Sequence, residues 1–362
     1  MQVNLHLVTI SGIKIKVHWT FFFLILWIVL IEIKGGGNIE SILFNIAFVL
    51  AVFVCVVLHE LGHALTAKRF GINTKNIILL PIGGIASLDK IPDSPKQEFL
   101  VTLAGPLVNL LIVLFLYFII PIQDLMDQNF TESFETLSNF TLKNFLFYLY
   151  IVNIALIIFN IIPAFPMDGG RILRALLATK TDRIKATQIA ARIGQFIAVL
   201  FLLIGLLYYP FLIFIALFIF LGAYGENQMV QHLALIKGHT VEEAMLFNIT
   251  TFNPEDTLDI VVDKLISSTE NNFVVIDNNN IIKGLLYHQD IIDNSNKDVL
   301  VRDIMFTNFK TISAEDDLIK TYRLIQISKK PFFPVINNGK LVGAIDAVNL
   351  NEYILLQAKL AN

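Results

Sequence analysis

The chain has 362 residues, 55% of them hydrophobic and only 16% charged, with a net charge of -3. Soluble globular domains carry about 25% charged residues, so an ordinary soluble protein is excluded for much of the chain. The near-neutral balance leaves no basic footprint for nucleic acid, and the single cysteine, Cys55, excludes an internal disulfide.

Six apolar segments have spanning length: 17–33, 42–67, 98–120, 143–162, 193–209 and 211–225. No small-residue cleavage site follows the first, so it is expected to stay as a helix rather than leave as a signal peptide. The second carries His59-Glu60-Leu61-Gly62-His63. Residues four apart share a helix face, so both imidazoles can bind one metal ion, with Glu60 placed as general base. Zinc suits this donor set. In a soluble helix the pattern is often a solvated face; inside an apolar run, three ionisable groups are costly unless they serve a site.

Residues 74–92 change character. An apolar stretch to Leu80, then Pro81-Ile82-Gly83-Gly84, then 85–88 reads as a hairpin or a re-entrant strand. A substrate helix hides its peptide bonds in its own hydrogen bonds, and the open strand edge at Gly83 and Gly84 could bind an unwound segment by strand addition; a plain surface loop is the alternative. The third span contains Ala104-Gly105-Pro106-Leu107-Val108-Asn109, and loop 121–142 is acidic and short. The fourth span carries Asn153 and runs into Asn160-Ile161-Ile162-Pro163-Ala164-Phe165-Pro166-Met167-Asp168-Gly169-Gly170-Arg171. Asn109 and Asn153 read as helix–helix hydrogen-bonding groups, and His18 as an interfacial residue.

Basic residues orient the spans. With the N-terminus inside, segments 1–16, 68–96 and 168–192 hold thirteen Lys and Arg, against Lys34 alone outside. The second and fourth spans then end at the same membrane depth, which makes Asp168 the best third ligand for the metal. Pro163 and Pro166 let the chain fold back, and Gly169 and Gly170 allow close backbone approach. The competing role for Asp168 is a helix cap.

These three motifs in this order resemble the site-2 protease family of intramembrane metalloproteases over about residues 1–225. The resemblance implies one catalytic zinc held by His59, His63 and Asp168, Glu60 as catalytic base, and Asn160 assisting at the substrate backbone or the oxyanion. It implies single-span membrane proteins as substrates, and a multi-pass protein in the plasma membrane of a prokaryote. Met167 stands where the family usually has Leu.

From about Gly238 the composition becomes that of a soluble domain containing a repeat. Phe273-Val274-Val275-Ile276 matches Phe333-Pro334-Val335-Ile336, and Gly284-Leu285-Leu286 matches Gly343-Ala344-Ile345. This tail resembles a tandem CBS pair. The resemblance places Asp290 at a ribose contact of an adenine nucleotide, although Tyr287 and, in the second copy, Asp346 and Asn349 depart from the usual pattern. Homodimerisation through the pair is the other reading. The expected architecture is an α-helical polytopic membrane domain of about six transmembrane helices with a small β-hairpin (1–237), then a cytosolic α/β CBS pair (238–296 and 297–362). A CBS-regulated channel or transporter and an inactive protease-like binding protein are the alternatives. The ionisable groups gather at two span ends rather than along a path, against the first, and Glu60 is intact, against the second.

Overall fold

A computed structural model of the protein describes residues 4–81, 83–88, 92, 94–120, 140–294 and 297–360. The reading of loop 121–142 falls mostly on 121–139, outside the described residues. The chain divides into two compact units, Met1–Gln228 and Met229–Asn362.

The first unit opens with strands β1 (Asn4–Ile10) and β2 (Ile13–His18), joined by the two-residue turn Ser11-Gly12. Both turn residues have positive φ, 52° and 87°, the geometry that matches the twist of a tight hairpin. Alternation in β2 turns Ile13, Ile15 and Val17 inward and leaves Lys14 exposed. Strands β3 (Thr74–Leu80) and β4 (Gly83–Leu88) complete a sheet in the order β1-β2-β3-β4, with β2 and β3 parallel. The expected hairpin is therefore half of a four-stranded sheet. Its Ile13, Ile15 and Ile77 pack on Leu61 and Ala64.

Helix α1 covers Phe21–Lys34, only 14 residues. At 1.5 Å per residue that is about 21 Å, short of the roughly 30 Å hydrocarbon core. The apolar run read at 17–33 is shared between the end of β2 and this helix, so the first of the six expected spans falls short. Five helices among the described residues are long and apolar enough to cross a membrane: α2 (Ile39–Arg69), α3 (Pro95–Ile119), α4 (Leu142–Ile161), α6 (Arg183–Leu207) and α7 (Phe211–Leu235). Their outer faces carry exposed apolar residues such as Leu111, Phe118, Leu207 and Phe214, the surface a lipid solvent requires. Between α4 and α6 lies the ten-residue helix α5 (Asp168–Leu177). The Pro163–Pro166 break precedes it, and Gly169 and Gly170 press against backbone: a Cβ on Gly169 would lie 2.2 Å from the Ile162 carbonyl oxygen.

The second unit contains two similar copies. Strands β5 (Thr251–Phe252), β6 (Phe273–Ile276) and β7 (Ile282–Leu286) form one sheet, and β8 (Ile312–Ser313), β9 (Phe332–Asn337) and β10 (Lys340–Asp346) the other. In each copy the first pair is parallel and the second antiparallel. Leu246 and Ala344 exchange backbone hydrogen bonds of 2.8 and 3.0 Å across the repeats. Val274 and Leu285 from one copy share a core with Phe332 and Ala344 from the other, so neither copy closes its apolar face alone.

Candidate metal centre

Helix α2 brings His59 and His63 one turn apart, with ring centroids 4.7 Å apart and the rings nearly perpendicular. Their Nε2 atoms are 3.1 Å apart. Asp168, at the first residue of α5, places Oδ2 3.2 Å from His59 Nε2 and 3.1 Å from His63 Nε2. The residue in the cap position is Met167, and Asp168 turns to the imidazoles. All three residues are buried.

The proton positions follow from a chain of hydrogen bonds that starts at a backbone carbonyl. The Leu149 carbonyl can only accept, so the Asn153 amide donates to it at 2.7 Å. Asn153 Oδ1 then accepts from Asn109 Nδ2 at 2.9 Å, which leaves Asn109 Oδ1 to accept from His59 Nδ1 at 2.6 Å. His63 Nδ1 donates to the Val101 carbonyl at 2.8 Å. Both Nδ1 atoms therefore carry the proton, and in the neutral rings both Nε2 atoms are bare lone pairs. Two lone pairs and a carboxylate oxygen face one another within 3.2 Å, an arrangement that repels itself without a cation. Tetrahedral zinc at about 2.0–2.1 Å from its ligands separates them by roughly 3.3 Å. The donor set fits zinc, and one partner behind each ring is the usual orienting arrangement.

Helix α3 supplies most of this support. Val101 offers its carbonyl and Asn109 its amide, and Gly105, between them, leaves space for the rings: a Cβ there would lie 2.2 Å from His63 Nε2 and 2.7 Å from His59 Nε2. Gly62 lets α2 approach α3, since a Cβ on it would stand 2.7 Å from the Ala104 carbonyl oxygen. Helix α5 is anchored by Arg174, which is 1% exposed. It donates to Glu98 at 2.7 Å and to Glu226 at 2.5 Å, and Arg183 also reaches Glu98 at 3.1 Å.

Glu60 is half-buried beside β4. A Cβ on Gly84 would lie 2.9 Å from Glu60 Cγ, and Gly83 adopts φ +136°, which L side chains rarely take. Both glycines thus lie on the strand that passes over Glu60. Asn160 sits half-buried near the end of α4, and its side chain has no hydrogen-bond partner among the described residues. Sequence reasoning missed Val101, Glu98 and Arg174 as supports, and read Asn109 and Asn153 as helix–helix bonds; they are that, and they also orient His59.

In the second unit, the Asp290 carboxylate is held by Lys330 Nζ at 2.8 and 3.1 Å. The same ammonium lies 4.2 Å from the Tyr287 ring centre and 5.0 Å from that of Phe306. Burial, helped by the Asp290 charge, pushes the Tyr287 phenol up to about 12.

Comparison with known proteins places the chain in a family. The Peptidase family M50 model matches residues 47–203, and the CBS domain model matches 241–297 and 301–356. A zinc metalloprotease of Methanocaldococcus jannaschii is 33% identical over 351 residues, covering 97% of this chain and 96% of the relative. A solved site-2 protease from M. jannaschii is 40% identical, covering 62% of this chain and 95% of that one, with a TM-score of 0.45. The CBSX2 protein, solved in complex with AMP, is 23% identical over 34% of this chain and 99% of its own, with a TM-score of 0.30.

Proposed function

Because the chain belongs to peptidase family M50, the site-2 protease family of zinc metalloproteases, we propose that it cuts membrane-spanning proteins within or beside the bilayer, with His59, His63 and Asp168 holding the zinc and Glu60 as catalytic base. The observation that carries this reading is the trio of mutually facing acceptor atoms 3.1–3.2 Å apart, with both opposite ring nitrogens already committed.

When bound, zinc supplies a Lewis acid that polarises a carbonyl and acidifies water. Glu60, one residue from His59 and outside the ligand trio, takes the proton of the attacking water and passes it to the leaving amine. Asn160 supports the developing oxyanion or the substrate backbone. The substrate must be extended before attack, and the β4 edge at Gly83 and Gly84 receives it by backbone pairing. The position of that edge against Glu60 supports this role. The substrates are single-span proteins. The thirteen-to-one bias of basic residues supports a membrane protein with its N-terminus and tail in the cytosol. That orientation needs an even number of crossings, so the short α1 must carry the chain outward to the start of α2, a reading supported by the pairing of β2, before α1, with β3, after α2. The tail senses an adenine nucleotide at Asp290 and adjusts proteolysis.

The test is bound-zinc analysis and cleavage of a model transmembrane substrate by wild type and Glu60→Gln. Retained zinc with cleavage lowered at least a thousandfold is expected; equal rates would exclude Glu60 as the base.

A further inference from the structure

At the end of the strands away from Gly84, a cleft of about 580 Å³ opens between the β1–β2 turn, the start of β3 and the last turns of α2. Lys14, Lys16, Lys68 and Lys75 line it. Lys14 and Lys16 have no ion-pair partner among the described residues, and Lys68 Nζ donates to the Ser11 carbonyl at 2.8 Å, pinning the turn. Thr74 also lines the cleft. It is 7% exposed, and its buried hydroxyl has no hydrogen-bond partner among the described residues. Lys14 and Lys16 beside an unused hydroxyl make a wall suited to an anionic oxygen.

The neighbouring strand shows where that oxygen comes from. β1 pairs with β2, His6 opposite Lys16 and Thr9 opposite Lys14. It exposes Leu5, Leu7, Val8 and Ile10. An apolar edge strand is a liability in water. Here it lies beside the point where the apolar run of α2 ends at Lys68 and Arg69, the level of a lipid headgroup layer.

We propose that this cleft binds the phosphate of an anionic membrane lipid. Lys14, Lys16 and Lys68 supply the charge, Thr74 donates its hydroxyl, and β1 rests in the acyl boundary. A free phosphate would use the lysines but leave the apolar strand unexplained, which favours the lipid. The proposal depends on α2 crossing the bilayer and is independent of the zinc chemistry, so each can fail alone.

The full chain in detergent is titrated with phosphatidylglycerol or phosphatidylcholine and bound lipid is counted by native mass spectrometry, with zinc content and melting temperature as controls for folding. Wild type should prefer phosphatidylglycerol. Lys14→Gln with Lys16→Gln should lose about fivefold affinity per lysine, roughly twenty-fivefold together. Lys180→Gln with Lys185→Gln, a charge-matched pair elsewhere, should change nothing. Thr74→Val keeps every charge and should weaken phosphatidylglycerol binding a few-fold. Equal affinity for both lipids, equal loss in the two double variants, or displacement of the lipid by inorganic phosphate alone would each overturn the proposal.

Discussion

Replacing Asn109 with Ala removes one acceptor and one donor from the chain that ends at His59. Two buried groups lose partners: the His59 Nδ1–H and the Asn153 carbonyl. Each unsatisfied buried group costs about 1–3 kcal/mol. The two penalties separate by assay. The Asn153 penalty falls on the fold with or without metal, so it lowers the melting temperature and cancels from zinc affinity. The His59 penalty falls on the ligand itself, since a ring free to turn or change tautomer no longer holds Nε2 toward Asp168. Loss of such a partner weakens metal binding about 10- to 100-fold, or roughly 1.4–2.7 kcal/mol. Competition with a fluorescent zinc chelator in detergent measures it. Asn153→Ala should give a smaller loss, and the double variant should be no worse than Asn109→Ala, because Asn153 acts through Asn109. Unchanged zinc affinity in Asn109→Ala, or strictly additive losses, would refute the relay.

Three further outcomes follow from the geometry. Gly105→Ala drives a methyl into the imidazoles and should abolish stoichiometric zinc while circular dichroism shows the helices intact. Arg174→Met leaves Glu226 without its partner and Glu98 with only the half-buried Arg183, so about 3–5 kcal/mol of stability should disappear, visible as a lowered melting temperature in the zinc-loaded protein. Lys330→Ala frees Asp290 from an ion pair worth about 0.2–1 kcal/mol and a cation–π contact worth about 0.5–1 kcal/mol. If the tail takes an adenine nucleotide at Asp290 as proposed, that ammonium competes with it, and AMP binding to the full chain, measured by calorimetry, should tighten about three- to thirtyfold; weaker binding would instead make Lys330 a ligand contact.

The convergence of His59, His63 and Asp168 was legible because ionisable residues are too costly in an apolar run to sit there without a site to serve. The long helices were legible by the converse: a long, nearly uncharged apolar stretch is what a bilayer demands. The sheet was half visible. The β3–β4 turn announces itself by Pro81, Gly83 and Gly84, whereas β1 and β2 merge into the apolar stretch that follows, and only the Lys14–Lys16 alternation separates strand from helix. Asn160 was named through family likeness, and its geometry adds only position. The support shell was hidden for a different reason. A backbone carbonyl such as that of Val101 leaves no mark in the sequence, and Glu98 and Arg174 are 76 residues apart. Nothing local pairs them until the α4–α5 break folds the chain back.

Glu98, Val101, Gly105 and Asn109 recur along α3 at steps of three, four and four, a single stripe on one rod. Three of them serve the imidazoles, and the first grips the helix bearing Asp168. A rod holding both halves of a site cannot let one half drift while the other stays. Inserting a single residue between Glu98 and Val101 would swing the contacts on its two sides about 100° apart, so the pocket and the clamp would be mistuned together. Loosening at either end should thus register at the paired imidazoles, and only exchanges that preserve the phase of the stripe should be tolerated along this face.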